Sequence, residues 1–336
     1  MASAMDGSSP PSSGTVRETS VPAHLAFSCA VSAAQGTRPT MEDTHTIVVP
    51  FAGIHGQGLF GVFDGHGGKE ASQWCKENYA RCLLSALQEN ESGKVTDALN
   101  KSFREVDKNL EQMWAQSGGE VHSGSTAVVA FIRVEDEKGQ QSFAPSNYEP
   151  LGVAVPEESE DGKSAGGTGS VKTRSQSDKV FVPPGEVRRV LYTANVGDAR
   201  GVLCQGGKAV RLTYDDKASD KKEAQRIEKA GGLILEGRVD GVLIPTRALG
   251  DAPLNQYVTS SPHTVEIELG EKDEFLILAC DGLWDVLKDQ EAVDLVRGVQ
   301  DSMEAAELLV NEALGRHTQD NVTVLVVRLR DPPGRS

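Results

Sequence analysis

The stretch Gly58-Leu-Phe-Gly-Val-Phe-Asp64-Gly-His66-Gly-Gly68 combines a candidate core strand with a candidate functional residue. Its apolar first half predicts a buried strand, and an aspartate follows that strand at once. A carboxylate in this place must be paired or bound to a cation, because burying it alone costs several kcal/mol. The glycines after Asp64 permit a close approach of the backbone to a ligand and permit positive φ. The stretch therefore predicts a strand that carries an acidic group to one rim of a sheet.

Two later segments repeat this arrangement of an apolar run beside an aspartate. One reads Phe275-Leu-Ile-Leu-Ala-Cys-Asp281-Gly-Leu-Trp-Asp285, and the other reads Gln319-Asp320-Asn321-Val-Thr-Val-Leu-Val-Val327. Three strand-end carboxylates that are far apart in sequence can converge at one rim of a sheet. Oxygen ligands without histidine or cysteine favour hard cations such as Mg²⁺ or Mn²⁺. Asp64, Asp281 and Asp320 therefore predict a hydrolytic metal centre.

The composition is that of a globular protein of 336 residues with a net charge of −15. Its basic residues form no run, so we do not expect it to bind nucleic acid by neutralising phosphates. No segment approaches the roughly 18 consecutive apolar residues of a membrane span, and we expect no membrane partner. The five cysteines are odd in number and lie within apolar patterns. This favours reduced, buried thiols and a cytoplasmic or nuclear protein.

Composition also divides the chain into an ordered region and less ordered segments. Residues 1–22 are rich in Ser, Pro and Gly and predict a disordered tail. Residues 23–330 predict one folded domain, and residues 331–336 form a C-terminal tail. Within the domain, the Gly-, Ser-, Pro- and Glu-rich residues 135–187 predict a disordered insertion, since structureless loops of this length are uncommon. A docking role and a neutral spacer both remain open for this insertion.

Periodicity predicts an α+β fold. Strands are predicted at residues 26–33, 44–49, 58–63, 126–134, 190–194, 201–205, 208–212, 275–279 and 322–329. Helices are predicted after Gly68 and at residues 94–116, 220–230, 289–299 and 302–314. The strands cluster, the helices come in pairs, and regular βα alternation is missing. A Rossmann-like parallel sheet is therefore disfavoured.

Further candidates for chemistry lie beside these strands. His66 follows the first strand-end aspartate within a cluster of glycines, which favours a catalytic over a structural role. Arg38, Glu42 and Asp43 lie in the loop Arg38-Pro-Thr-Met-Glu42-Asp43 between two predicted strands. Arginine suits bidentate binding of phosphate, and a glutamate beside a metal can hold a bound water.

This chain resembles the metal-dependent protein Ser/Thr phosphatases of type 2C, because its ordered segments look like the motifs of that family and follow one another in the same order. The matching segments are 38–43, 63–68, 124–126, 195–200, 247–251, 279–284 and 320–321. The resemblance covers about residues 25–329 apart from the insertion, and it is greatest to fungal members. It implies that residues 23–330 are a catalytic domain. It also implies a sandwich of two antiparallel β-sheets flanked by α-helices on both sides, a four-layer α-β-β-α architecture.

The resemblance also implies a role for each candidate residue. Two Mg²⁺ or Mn²⁺ ions per site would be held by Asp64, the Gly65 carbonyl, Asp281 and Asp320. Around them, or at a weaker third ion, would lie Glu42, Asp43, Asp198 and Asp285. Arg38 would bind the substrate phosphate, and His66 would act as general acid. No covalent intermediate is expected.

The implied activity is hydrolysis of phosphoserine and phosphothreonine in phosphoprotein substrates. Fungal members suggest a role in kinase signalling, with components of MAP-kinase pathways as substrates, and a monomeric enzyme. The chain departs from the family pattern at Asp215-Asp216-Lys217-Ala218, where Asp-His-Lys-Pro is usual, and at Pro245, near the substrate-facing region. These departures leave the substrate preference open.

Three other functions are compatible with parts of the sequence. A thiol-based phosphatase is suggested by the spacing of Cys75 and Arg81, although the surrounding residues predict a helix rather than a phosphate-binding loop. A catalytically dead scaffold or binding protein of the same fold is a second alternative. A metal-dependent phosphodiesterase or nuclease is a third, disfavoured by the acidic composition.

Overall fold

Two antiparallel β-sheets stacked face to face form the centre of the molecule. The structure is a computed structural model that describes residues 13–18, 26–90, 93–142, 144, 181–184 and 186–330. One sheet has six strands in the order β1-β2-β16-β15-β9-β10, and the other has five in the order β14-β8-β7-β4-β3. All neighbouring strands in both sheets run antiparallel.

The elements have the following bounds. The strands are β1 (Ser13–Glu18), β2 (Phe27–Ala34), β3 (Thr44–Val48), β4 (Gly58–Phe63), β5 (Gly65–His66), β6 (Gly124–Ser125), β7 (Ala127–Glu135), β8 (Arg188–Val196), β9 (Arg200–Gln205), β10 (Lys208–Arg211), β11 (Ile234–Leu235), β12 (Arg238–Val239), β13 (Leu249–Gly250), β14 (His263–Glu268), β15 (Asp273–Ala279) and β16 (Val322–Arg328). The helices are α1 (Glu70–Gln88), α2 (Val95–Gln116), α3 (Lys221–Lys229), α4 (Asp281–Trp284), α5 (Asp289–Val296) and α6 (Ser302–Gly315).

Three apolar clusters hold four layers together. The cluster between the sheets includes Phe60 of β4, Leu276 of β15 and Leu325 of β16. A second cluster packs α1 and α2 on the outer face of the five-stranded sheet, and a third packs α5 and α6 on the outer face of the six-stranded sheet. Strands with both faces covered are apolar throughout, which is why β4, β15 and β16 read as continuous apolar runs. The predicted four-layer α-β-β-α architecture is confirmed.

Helix α2 illustrates how the sequence pattern produces a layer. Its buried residues recur at helical spacing, as Val95, Leu99, Phe103, Val106 and Leu110, so that one stripe faces the sheet. Helix α3 begins as its sequence predicts, since the side chain of Asp220 accepts hydrogen bonds from the backbone amides of Lys222 and Glu223.

The structure differs from the sequence prediction at the N-terminal tail. Within the predicted tail, Ser13–Glu18 form β1, which pairs with β2 along the edge of the six-stranded sheet. The rest of residues 1–22 lies outside the described residues, as do residues 331–336 and most of the predicted insertion at 135–187. Of the insertion's described ends, Phe181 forms a bridge with Ile54.

Two absences apply to the described part of the chain. No helix within it is both long enough and apolar enough to span a membrane. All five cysteines lie in this part, all are buried, and no disulfide joins them. The expectation of buried thiols is thereby confirmed.

Candidate metal centre

The ends of strands from both sheets meet at one end of the sandwich. Asp64 follows β4 of the five-stranded sheet, Asp281 lies just beyond β15, and Asp320 just before β16, both of the six-stranded sheet. The last two turns are in close contact, because a Cβ atom on Gly282 would lie 1.9 Å from the carbonyl oxygen of Asn321. Only glycine fits there. The antiparallel pairing of β15 with β16 therefore brings two of the predicted ligands to the same corner.

The tightest group of ligand atoms at this corner belongs to Asp43, Asp64 and Cys280. One ligand atom from each lies within 4.8 Å of the other two. Asp43 is 6% exposed, and its Oδ2 atom has no hydrogen-bond partner among the described residues. A buried carboxylate oxygen without a partner is costly unless a cation is bound. The sequence had placed Asp43 around the metals, and the structure puts it in direct proximity to Asp64.

Electrostatics link Asp64, Asp281 and Asp320 into one acidic centre. Burial raises the pKa of Asp64 well above its ordinary value, and the charges of Asp281, Asp43, Asp198 and Asp320 raise it further. Burial likewise raises the pKa of Asp281, with further repulsion from Asp198, Asp285 and Asp320. Burial also raises the pKa of Asp43, to about 6. These carboxylates repel one another at close range, which is the environment that a divalent cation relieves.

The backbone around Asp64 is arranged for close approach. A Cβ atom on Gly65 would lie 2.5 Å from the carbonyl oxygen of Glu42, so no side chain fits at this position. The Asp64 carbonyl is held in place by the amide of Thr126 at 2.9 Å. The missing side chain allows the loop that carries Glu42 to lie directly against the backbone beside Asp64.

Asn321 ties the loop before β3 to the start of β16. Its Oδ1 atom accepts a hydrogen bond from the Glu42 amide at 2.8 Å, and its Nδ2 atom donates to the carbonyls of Gln35 and Thr40 at 2.8 and 3.0 Å. Asn321 thereby fixes the loop that carries Arg38, Glu42 and Asp43 beside the strand-end aspartates.

Arg38 lies at the open side of the centre. Its Nη2 atom donates to Oδ2 of Asp320 at 2.5 Å, and its side chain is 54% exposed. The guanidinium is therefore anchored beside a predicted metal ligand while much of it faces solvent. This is a position from which it can reach the phosphate of a substrate.

His66 is held by an acid that lies far away in sequence. Its Nε2 atom lies 2.9 Å from Oδ2 and 3.0 Å from Oδ1 of Asp251. Burial opposes protonation of the imidazole, but the hydrogen bond and the charge of Asp251 outweigh it and raise the pKa of His66. The ring is thus kept in the form that can donate a proton.

Asp198 and Asp285 share a positive partner. The Lys217 ammonium lies 3.3 Å from Oδ2 of Asp198 and 3.5 Å from Oδ1 of Asp285. Asp198 is 4% exposed, and burial raises its pKa although Lys217 acts in the opposite direction. The two acids that the resemblance associates with a weaker third ion are therefore close enough to hold one cation between them.

The departure at Asp216 has a structural partner. Its Oδ1 atom lies 2.8 Å from Nε2 of His263, and its Oδ2 atom accepts from the Gly197 amide at 3.1 Å. The usual histidine of the family pattern is thus replaced by an acid that pairs with a histidine from β14. Pro245 forms a bridge with Lys217 nearby, and Ala218 is buried.

The thiol-based alternative does not fit the structure. Cys75 lies inside α1, is fully buried, and burial raises the pKa of its thiol well above the ordinary value. A catalytic thiol needs a lowered pKa and access to substrate.

Sequence reasoning assigned no role in the site to Asp251, Lys217 or Cys280. Asp251 appeared only as the last residue of the matching segment 247–251, and no role was assigned to it. Lys217 appeared only within a segment that departs from the family pattern. Cys280 stood next to Asp281, but its proximity to Asp43 depends on the pairing of distant strands.

The donor set fits hard divalent cations. Its side-chain oxygen atoms come from Asp64, Asp281 and Asp320, and the partnerless Oδ2 atom of Asp43 lies beside them. The one sulfur atom, of Cys280, accepts a hydrogen bond from the Thr323 amide at 3.1 Å, and its thiol pKa is raised by burial. It is therefore a protonated neighbour rather than a ligand for such ions.

Comparisons with known proteins give one consistent family. The family model described as protein phosphatase 2C matches residues 27–138 and 155–322. Protein phosphatase 2C homolog 1 of Saccharomyces cerevisiae is 41% identical over 292 residues, which span 87% of this chain and 89% of the yeast protein. Protein phosphatase 2C homolog 1 of Schizosaccharomyces pombe is 39% identical over 301 residues, spanning 89% of this chain and 72% of that protein.

Solved structures share the fold. A serine-threonine phosphatase 2C from Toxoplasma gondii superposes with a TM-score of 0.65 at 21% identity, covering 95% of this chain and 99% of that chain. A C. elegans sex determining protein superposes with a TM-score of 0.68 at 24% identity, covering 96% of this chain and 66% of that chain. At these identities the likeness concerns the architecture alone.

Proposed function

The chain belongs to the protein phosphatase 2C family and is a metal-dependent protein serine/threonine phosphatase, and from this premise we propose how its own residues carry out the reaction. In the proposal, a pair of Mg²⁺ or Mn²⁺ ions is held by Asp64, the Gly65 carbonyl, Asp281 and Asp320. Glu42 and Asp43 lie around this pair. The strongest support is that several buried carboxylates lie close together here and that one of their oxygen atoms, Oδ2 of Asp43, has no hydrogen-bond partner among the described residues.

The metal ions supply one part of the chemistry. When bound, such ions would act as Lewis acids, lower the pKa of a bound water to about 7 and offset the charge of a phosphoryl group. The protein's part is to fix the carboxylates at one rim, which the two stacked sheets do through β4, β15 and β16. A buried donor set of this kind would otherwise remain electrostatically strained.

Arg38 binds the phosphate of the substrate. Its guanidinium is anchored by Asp320 at 2.5 Å yet is 54% exposed, so it can donate to phosphate oxygens without leaving the centre. Binding through a planar guanidinium orients the phosphoryl group as well as attracting it. Arg38 therefore positions the group that is to be transferred to water.

His66 donates a proton to the leaving group. A serine or threonine alkoxide is a poor leaving group, so protonation of its oxygen lowers the barrier. Asp251 holds Nε2 of His66 and raises the pKa of the ring, which leaves the other ring nitrogen as the donor towards substrate. Asp251 is thus a positioning residue for the proton donor.

The biological role we propose is the reversal of phosphorylation in kinase signalling in the cytoplasm or nucleus. The proposal rests on membership of a family of protein phosphatases, whose reaction reverses the one that protein kinases carry out. The proposed substrates are phosphoproteins, with MAP-kinase pathway components as the first to test, and the proposed active form is a monomer.

The decisive experiment measures turnover of a phosphothreonine peptide by the purified full chain. We expect activity with Mn²⁺ or Mg²⁺, loss of activity with excess chelator, and recovery when Mn²⁺ is added back. The Cys75→Ser variant serves as the control and should retain wild-type turnover. Undiminished turnover in chelator, or its loss in Cys75→Ser with the fold intact, would show that the proposed mechanism is wrong.

A further inference from the structure

Lys217 occupies the place of a cation between two acids. Its ammonium lies 3.3 Å from Oδ2 of Asp198 and 3.5 Å from Oδ1 of Asp285. At these distances the lysine forms an ion pair with each of the two carboxylates. The lysine therefore lies at the two acids that would hold a third ion.

The backbone of this lysine is fixed to the surrounding loops. The Asp216 amide donates to the Gly197 carbonyl at 2.9 Å, and the Thr246 amide donates to the Asp216 carbonyl at 2.9 Å. Lys217 itself bridges Pro245. The side chain is 32% exposed, so it can turn from the acids into solvent while these backbone bonds stay in place.

A divalent cation and the ammonium cannot use the same carboxylate oxygens together. Asp198 is 4% exposed, so it needs a positive partner, whereas Asp285 is 61% exposed and is partly screened by water. Whichever cation is present satisfies Asp198, and the arrival of one requires the departure of the other.

We propose that Lys217 is a tethered competitor for the cation position formed by Asp198 and Asp285, and that it sets the weak affinity of this position for divalent ions. This inference rests on the proposed function, because it assumes the neighbouring pair of ions at Asp64, Asp281 and Asp320. It gives Lys217 a positioning role, in which the side chain keeps Asp198 neutralised whenever no third ion is bound.

The test is a Mn²⁺ titration of the full chain, in which electron paramagnetic resonance reports free Mn²⁺. Replacing lysine by a neutral residue removes the competitor, so Lys217→Gln should tighten the weakest class of sites about fivefold, given that a partly exposed ion pair is worth about 1 kcal/mol. Lys217→Met should do the same, and Lys217→Arg, which keeps the charge, should bind Mn²⁺ as the wild type does. Lys221→Gln, at an exposed lysine in α3, is the matched control for loss of one charge.

A second variant locates the gained affinity. Adding Asp198→Asn to Lys217→Gln should abolish the gain in Mn²⁺ affinity. If the role of Lys217 were purely structural, the Mn²⁺ binding isotherm would be unchanged in both the single and the double variant. Near-ultraviolet circular dichroism verifies the fold of each variant. If Lys217→Gln and Lys217→Met both fold and both titrate like the wild type, the inference is overturned. Failure of the proposed function would give a different result from failure of this inference. In that case Asp64→Asn would not remove the tight Mn²⁺ binding seen in the wild type.

Discussion

The metal centre and the cluster around Glu223 are both built from buried acids, yet they differ in every partner. The Glu223 cluster consists of Glu223, Arg226, Thr246 and Arg247. In it, Oε1 of Glu223 accepts from Arg247 at 2.7 Å, and Oε2 accepts from Arg226 at 2.9 Å and from Thr246 at 3.0 Å. At the metal centre, Asp43 and Asp64 face other carboxylates, and Oδ2 of Asp43 has no partner among the described residues.

The pKa values of the acids in the two clusters shift in opposite directions. Burial raises the pKa of Glu223, but Arg247 and Arg226 outweigh it and lower the value to about 2. Burial raises the pKa of Asp43 to about 6 and that of Asp64 well above its ordinary range. An acid that the chain itself neutralises is structural, while acids that the chain leaves without a positive partner are candidates for binding ions from solution.

The largest contrast is expected from substitution of Asp64. Asp64→Asn removes a carboxylate from the site proposed for the two metal ions. Loss of metal-ion catalysis costs several kcal/mol of transition-state stabilisation. We expect kcat/KM on a phosphothreonine peptide to fall by at least about a thousandfold, with the near-ultraviolet circular dichroism spectrum unchanged. Asp294→Asn, at an exposed position in α5, is the control. Activity close to that of the wild type in Asp64→Asn would exclude the assigned centre.

The opposite result is expected in the Glu223 cluster. Glu223→Gln leaves Arg226 and Arg247 without their shared carboxylate, and breaking a buried pair in this way destabilises a fold by about 3 kcal/mol. The free energy of unfolding in urea should drop by that amount. In the absence of metal, Asp64→Asn should not lower it, because that change relieves repulsion among carboxylates. A comparable loss in both variants would remove the distinction between the two clusters.

His66 connects the metal centre to a paired acid and should show an intermediate effect. Loss of a general acid reduces rates by about 10²-fold or more. His66→Gln should therefore slow hydrolysis of an alkyl phosphate by about that factor and slow an aryl phosphate much less, since aryl leaving groups need less protonation. The measurement is kcat for both substrates in both proteins. An equal loss on the two substrates would argue against proton donation by His66.

The pH dependence of stability gives the smallest and most specific contrast. Because the pKa of Asp43 is about 6 in the folded state and 3.8 for an ordinary aspartate, the folded state binds this proton more tightly. Its contribution is thus present below about pH 4 and is lost as pH rises to about 6, a change of at most about 3 kcal/mol. Glu223 has the opposite sign, with stability present above about pH 4.5 and lost towards about pH 2.

Urea unfolding of the metal-free protein between pH 4.5 and 7.5 measures this effect. The free energy of unfolding of Asp43→Asn, relative to the wild type, should increase as pH rises through this range. A difference between the two proteins that stays constant with pH would mean that Asp43 titrates normally.

The elements that sequence patterns located well are those with two buried faces or a strict helical stripe. Strands β4, β15 and β16 and helix α2 belong to this group, and their bounds lie within one or two residues of the prediction. Strand β14, an edge strand whose residues are only partly buried, was not predicted. The small sheet of β13, β6 and β5 was missed because each strand has two residues, too few for any period to appear.

The sequence by itself determined which residues have the right chemistry, namely acids at the ends of apolar strands, a histidine among glycines and an arginine before a strand. Only the tertiary structure decided which acids are neutralised. Asp251 reaches His66 across 185 positions, and Arg247 reaches Glu223 across 24, through packing that no local pattern records. The physical reason is that the protonation and role of a carboxylate depend on the charges within a few ångströms of it, and the fold chooses those neighbours.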